Sequence, residues 1–318
     1  MYQEPIFLQP VFQERIWGGE KLASEYGYAI PSDKTGEAWV ISAHPKGPSI
    51  IANGPLAGQT LKEAWENHGE LFNKQPDDQK AYPLLVKILD ANDDLSVQVH
   101  PDDTFAQEVE GEPYGKTECW YVLQAEPDAK IVFGHHAETR EELENLMKRG
   151  EWERLLNYKH VQAGDFIYVP SGTIHAIGKG IVILETQQSS DITYRVYDYD
   201  RQDASGNKRE LHLEKSIEVT NVPHREQVFE HRVETTGDLT IKTLIEEKYF
   251  TVYHWAIDGK VERKSDEDFL QVSVIAGSGE IVAGDKTFAI EKGSHFILPY
   301  TLESYRLLGN AQLIVSHP

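Results

Sequence analysis

One cysteine, Cys119, in 318 residues leaves no partner for an internal disulfide. Positive charge is scarce as well: 31 Lys and Arg stand against 52 Asp and Glu, a formal net charge of −21. That balance argues against nucleic acid or an anionic membrane surface as a partner, since binding either needs a basic patch. No apolar run approaches the roughly 18 to 20 residues of a membrane helix. The opening MYQEPIFLQPVFQ has no basic segment followed by an apolar one, as a secretory leader would. These absences predict a cytoplasmic protein.

What is present points to strands. Fifteen Tyr, six Trp and abundant Val, Ile and Thr favour sheet, and 24 Gly with 15 Pro supply turns. Short apolar runs at Ile50–Ile51, 82–89, 95–100, 119–123, 130–133, 165–169 and 181–186 are bounded by Gly, Pro or Asp. Two segments carry helical periodicity instead. Residues 60–72 place Leu61, Ala64, Trp65 and Leu71 on one face behind Thr60 as cap. Residues 139–156 open with Thr139 and Glu142 as a capping box, followed by a stripe of Leu143, Leu146, Met147, Leu155 and Leu156.

A weak internal repeat is visible. Gly164 to Pro170 and Gly293 to Pro299 share one spacing, and each precedes a polar segment and an apolar strand. Five residues past the proline stands His175 in the first copy and Ser304 in the second. Two copies of one β-barrel unit, only the first with a metal ligand, account for this. The charged stretch 223–240 reads as the linker, dividing a metal-binding unit at 1–222 from a second unit at 223–318.

Two motifs carry chemistry. Gly164-x5-Pro170-x-Gly172-x2-His175 resembles the second cupin motif, in which the glycines bend the backbone and aim the histidine into the barrel mouth. Upstream, Gln98 and His100 sit at i and i+2 on a strand and so share a face. Standard cupins have His-x-His there; here Gln replaces the first His, and the nearest suitable acid is Glu118. Two imidazoles, a carboxylate and an amide oxygen suit Zn²⁺ with room for a water or substrate oxygen, and Mn²⁺ or Fe²⁺ also fit the set. Lys87 lies within an apolar strand, where an unpaired cation is costly.

Leu95-Ser-Val-Gln-Val-His-Pro101, Lys116-Thr-Glu-Cys-Trp120, the element ending in His175 and Ser190-Asp-Ile-Thr-Tyr-Arg195 occur in the order seen in type I mannose-6-phosphate isomerases, which the chain resembles. Trp17-Gly-Gly, Gly36-Glu37-Ala-Trp39 and Pro83 to Asp90 add to the likeness, which runs to about residue 200 and matches the compact bacterial form. The resemblance implies a mainly β, double-cupin fold (two jelly-roll units with small helical insertions) and one bound zinc. It implies Gln98, His100, Glu118 and His175 as zinc ligands and Arg195 as catalytic. Lys116 becomes an active-site lysine, Asp191 an acid beside the arginine, and Ser96 and Lys87 are linked to the substrate phosphate.

The expected reaction interconverts mannose 6-phosphate and fructose 6-phosphate through an enediol. Arg195 suits stabilisation of negative charge and is a poor base; Lys116, Asp191, Glu37 and a metal-bound water remain candidates for the base. Arg201, in Asp198-Tyr-Asp200-Arg201, stands as a further cation near the substrate. An Fe²⁺ cupin oxygenase and a non-catalytic sugar-phosphate binding protein are the alternatives. The sequence carries no signal of oligomeric state.

Overall fold

The computed structural model describes residues 2–202, 206–264 and 267–318, and these form a mainly β protein with three antiparallel sheets. A six-stranded sheet runs Phe166–Val169, Glu118–Ala125, Ile181–Gln188, Leu84–Ala91, Thr35–Ser42, Val11–Gly19. A five-stranded sheet runs Tyr194–Tyr197, Val97–Val99, His175–Ala176, Lys130–His135, Leu156–His160. The remaining nine strands form the C-terminal sheet, in which Thr251–Lys264, Phe269–Ala283 and Ser304–His317 are the long members. The first strand, Ile6–Gln9, pairs with His295–Pro299 of that sheet, so the start of the chain is stitched to its end.

Strand periodicity decides what faces the space between the two N-terminal sheets. In the six-stranded sheet Val86, Ile88, Cys119, Val182 and Leu184 pack outward against Leu61, Ala64, Phe269 and Ile297. The alternate positions Leu89, Trp120, Val122, Ile181 and Ile183 pack inward against Ile131, Phe133 and Ile177. Successive side chains take opposite faces, so Lys87, Glu118 and Glu185, in step with the second set, also point inward. On the five-stranded sheet Val97, Val99, Ile174, Ala176, Tyr194 and Val196 pack outward under Leu143, Leu146 and Met147. Gln98, His175 and Arg195 therefore take the inner face.

The helical insertions are shorter than their periodicity suggests. The first is an α-helix over Leu61–Asn67, closed by a full capping box between Thr60 and Glu63, then a 3₁₀ turn over Gly69–Phe72. The second spans Arg140–Arg149 and stops at Gly150, whose φ of 66° is left-handed; a separate turn follows at Trp152–Leu155, and Leu156 already begins a strand. Its expected capping box is half made. Thr139 accepts from the Glu142 N–H, but the Glu142 carboxylate reaches the N–H of Glu138 rather than that of Thr139. Helices at Lys21–Tyr26 and Leu213–Val219 lack a long apolar period and escape sequence reading.

Candidate metal centre and active site

His100, Glu118 and His175 converge from three strand regions, with one ligand atom from each lying within 4.8 Å of the others. Gly172 makes the approach of His175 feasible. Its φ of 81° and the Asn221 amide, 2.5 Å from where a Cβ would sit, exclude a side chain, and its N–H donates to the His100 carbonyl. His175 then sits opposite Gln98 on the ladder, and Gln98 sits opposite Arg195. Cross-strand partners share a face, so these three side chains form a row above Glu118.

The tautomers are fixed from behind. His100 Nδ1 lies 2.7 Å from the Ile192 carbonyl and His175 Nδ1 lies 2.9 Å from that of Thr173, so both carry their proton at Nδ1. Both Nε2 lone pairs consequently face the Glu118 carboxylate, at 3.5 Å from His100 and 3.3 Å from His175. Burial pushes the imidazoles towards neutrality: His100 is held well below its ordinary value and His175 falls to about 4. Lone pairs facing a carboxylate repel unless a cation lies between. His175 Nε2 is buried without a hydrogen-bond partner, as an unsatisfied metal ligand would be. Lys116 Nζ lies 2.8 Å from Glu118 Oε2 as a buried ion pair and 3.0 Å from His100 Nε2. This donor set fits a divalent metal.

Gln98 and Lys116, the immediate neighbours of the triad, open onto a cleft of about 420 Å³ that the three triad side chains do not themselves line. Its wall includes Ser96, Gln98, Lys116, Asp191 and Arg195, together with Lys87. Six Lys and Arg (15, 46, 87, 116, 195, 209) line it against three acids (37, 185, 191), the reverse of the whole chain's balance. A larger cavity of about 820 Å³ beside the Leu61–Asn67 helix contains none of the sequence-derived site residues.

Each of those residues has defined partners. Lys87, buried, ion-pairs with Glu185 at 3.4 Å and Glu37 at 3.8 Å, and its ammonium sits 5.2 Å from the Trp39 ring centroid. Burial alone would raise the Glu37 pKa, but Lys87 and Arg15 hold it at about 2. Burial likewise opposes the Lys116 charge, and Glu118 and Glu185 override it so that the pKa rises. Asp191 sits 2.6 Å from Lys46 Nζ and 3.7 Å from His44 Nε2; burial would raise its pKa, and these neighbours lower it. Arg195 donates from Nη1 to the Glu210 carbonyl at 2.8 Å, while its Nε is buried and unpartnered. Arg201 does not line the cleft; it binds Asp198 and the Asp94 carbonyl.

Sequence reading missed Glu185 and the bridging role of Trp120. The Trp120 indole N–H lies 3.0 Å from both Glu118 and Glu185, tying the triad to a second buried carboxylate. Burial, then Glu118, raises the Glu185 pKa. A signal existed: Glu185 interrupts the apolar run 181–184 just as Lys87 interrupts its own strand, and the two pair across the ladder. Lys46 and Arg209 fall outside the motifs and left none.

The geometry can be set beside known proteins. The description "Phosphomannose isomerase type I, catalytic domain" matches residues 6–137, and "Mannose-6-phosphate isomerase, cupin domain" matches residues 240–318. Mannose-6-phosphate isomerase ManA of Bacillus subtilis is 52% identical over 320 residues, covering 100% of both chains. The chain belongs to the type I phosphomannose isomerase family. Another relative, the mannose-6-phosphate isomerase of Streptococcus mutans, is 50% identical over 99% of this chain and 98% of its own. A crystal structure of mannose 6-phosphate isomerase from Bacillus subtilis superposes with a TM-score of 0.96 at 50% identity, covering 99% of this chain and 100% of that one. The phosphomannose isomerase fold is therefore shared along the whole chain, and the metal triad and cleft lie within it.

Proposed function

We propose that the chain is a metal-dependent aldose–ketose isomerase that interconverts mannose 6-phosphate and fructose 6-phosphate through an enediol. The observation that carries this reading is the buried His100–Glu118–His175 triad beside a cationic cleft, in a chain of this family. Zn²⁺ is the ion this donor set suits best, held by the two Nε2 atoms, the Glu118 carboxylate and the amide oxygen of Gln98. When bound, it supplies Lewis-acid polarisation of a substrate oxygen.

The chain's own side chains supply the rest. Lys116 and Arg195 are the cations beside the reacting carbons; they hold the developing charge on O1 and O2, Arg195 through its free Nε. Asp191 lines the cleft as a carboxylate in place to carry the proton from C2 to C1, and release of its ion pair with Lys46 would make it the stronger base this step needs. Ser96 and Lys87 stand in the wall for the phosphate. Because Lys87 is already balanced by Glu185 and Glu37, it acts within the collective excess of six cations over three acids.

The architecture behind this is a double cupin, a metal-binding unit over 1–222 and a second over 223–318. Supporting it, the two Gly-to-Pro repeats adopt like conformations, with φ of 93° at Gly164 and 91° at Gly293, each leading into a strand. A single buried cysteine suits a reducing cytoplasm. Among the described residues no helix is long and apolar enough to cross a membrane.

The test is turnover of mannose 6-phosphate before and after chelation, with zinc add-back. Loss on chelation and recovery with zinc are expected. Full activity in metal-free protein refutes the mechanism, and binding without turnover in zinc-loaded protein makes the chain a sugar-phosphate binder.

A further inference from the structure

Arg195 lies on the edge strand of the five-stranded sheet, so one side of its backbone has no neighbouring strand. His212 fills that gap. Its Nδ1 accepts the Arg195 N–H at 3.0 Å, and its own N–H donates to the Arg195 carbonyl at 2.8 Å. Both backbone groups of Arg195 are thereby committed to one residue. Arg195 and Gln98 then form a non-hydrogen-bonded pair across the ladder, the arrangement that brings facing side chains closest.

The same short segment also holds the guanidinium, because the Glu210 carbonyl accepts from Arg195 Nη1. The segment is anchored at both ends. Arg209 Nε binds Asp198 at 2.7 Å, and the His212 carbonyl accepts the Ser216 N–H at 2.9 Å, starting the Leu213–Val219 helix. The His212 ring packs beside Tyr194, whose hydroxyl is tied to Glu110 at 2.6 Å. Burial and the Arg195 charge lower the His212 pKa, in keeping with an imidazole that must stay neutral to accept at Nδ1.

We propose that His212 is a positioning residue for the reaction, an acceptor that fixes Arg195 over the cleft without touching substrate. The proposal rests on the reading of Arg195 as the cation at the reacting carbons. It predicts that the atom at the Nδ1 position matters and the rest of the ring does not. Asn places its carbonyl oxygen near that position; Gln reaches instead towards Nε2; Ala offers nothing.

The experiment compares His212→Asn, His212→Gln and His212→Ala in the zinc-loaded full chain, with Arg195→Ala alone and combined with His212→Ala. His212→Ala should lower kcat by about tenfold to a hundredfold, the scale of stranding one part-buried donor, with KM and zinc content near those of the parent. His212→Asn should recover most of kcat and His212→Gln should not, a comparison between two polar variants that survives even if the alanine protein fails to fold. In the Arg195→Ala background the His212 change should cost nothing further. Equal loss in Asn and Gln, or an unchanged kcat in His212→Ala, overturns the proposal while leaving the role of Arg195 intact. Full turnover by Arg195→Ala overturns that role itself.

Discussion

At the residue scale, the proposed roles of metal holding and charge stabilisation fall on groups that do not touch. His175 Nε2 has no function in the fold, since Nδ1 alone makes its hydrogen bond, whereas Arg195 touches none of the triad at hydrogen-bond or ion-pair distance. His175→Ala should therefore lose both zinc and turnover. Arg195→Ala should keep zinc and lose about 10²- to 10³-fold in kcat, the usual effect of deleting one transition-state donor. Metal analysis beside a coupled isomerase assay checks the split, and zinc loss in Arg195→Ala would refute it. Trp120 yields a subtler case. Its single N–H is shared by Glu118 and Glu185, and Phe keeps an aromatic ring at the site while removing that proton. Trp120→Phe should weaken zinc affinity by about 10- to 100-fold, as loss of an outer hydrogen bond to a metal ligand does. Competition with a chromogenic chelator measures it, and an unchanged affinity would show that Lys116 alone orients Glu118.

At the element scale, helix ends show what local chemistry controls. The Thr60 hydroxyl and the Glu63 carboxylate satisfy each other's backbone N–H groups at the start of the Leu61–Asn67 helix, none of which lines the cationic cleft. Thr60→Ala should cost about 1 kcal/mol and lower Tm by about 2 °C, with kcat unchanged; calorimetry and the isomerase assay check both. Such caps were legible because their signals lie within four residues. The convergence of the two imidazoles was legible for a related reason: i, i+2 spacing puts Gln98 and His100 on one face, and the turn at Gly172 aims His175 at the same point. Glu142 shows the limit. Its spacing from Thr139 is right, yet the N–H of Glu138 wins the carboxylate, a competition that sequence spacing does not encode. The pairing of Ile6–Gln9 with His295–Pro299 is further out of reach, because a register joining residues 6 and 297 leaves no local trace. His212 left no signal for the same reason: its partner lies 17 residues away.

At the scale of the whole molecule, the N-terminal region is fastened to the C-terminal sheet by a buried polar link. His295 lies 2.6 Å from the Tyr28 hydroxyl through Nε2 and 2.9 Å from the Ser273 hydroxyl through Nδ1. Burial lowers its pKa from 6.5 to about 3, so the folded protein holds it neutral. Between those values the unfolded chain binds a proton that the folded chain refuses, so stability rises with pH across the window. Acidification below about 6.5 therefore removes stability, by at most about 1.4 kcal/mol per pH unit from this group, until the folded value near 3 is reached. His295→Gln deletes the titration while keeping a polar side chain. The variant should be less stable than the parent at pH 8, where only the lost hydrogen bonds count, and its stability should fall less steeply from pH 6 to pH 4. Urea unfolding of the zinc-loaded proteins at stepped pH measures both slopes. The metal-site imidazoles titrate alike in parent and variant, so the difference isolates His295, and parallel slopes would show that this link does not govern acid unfolding.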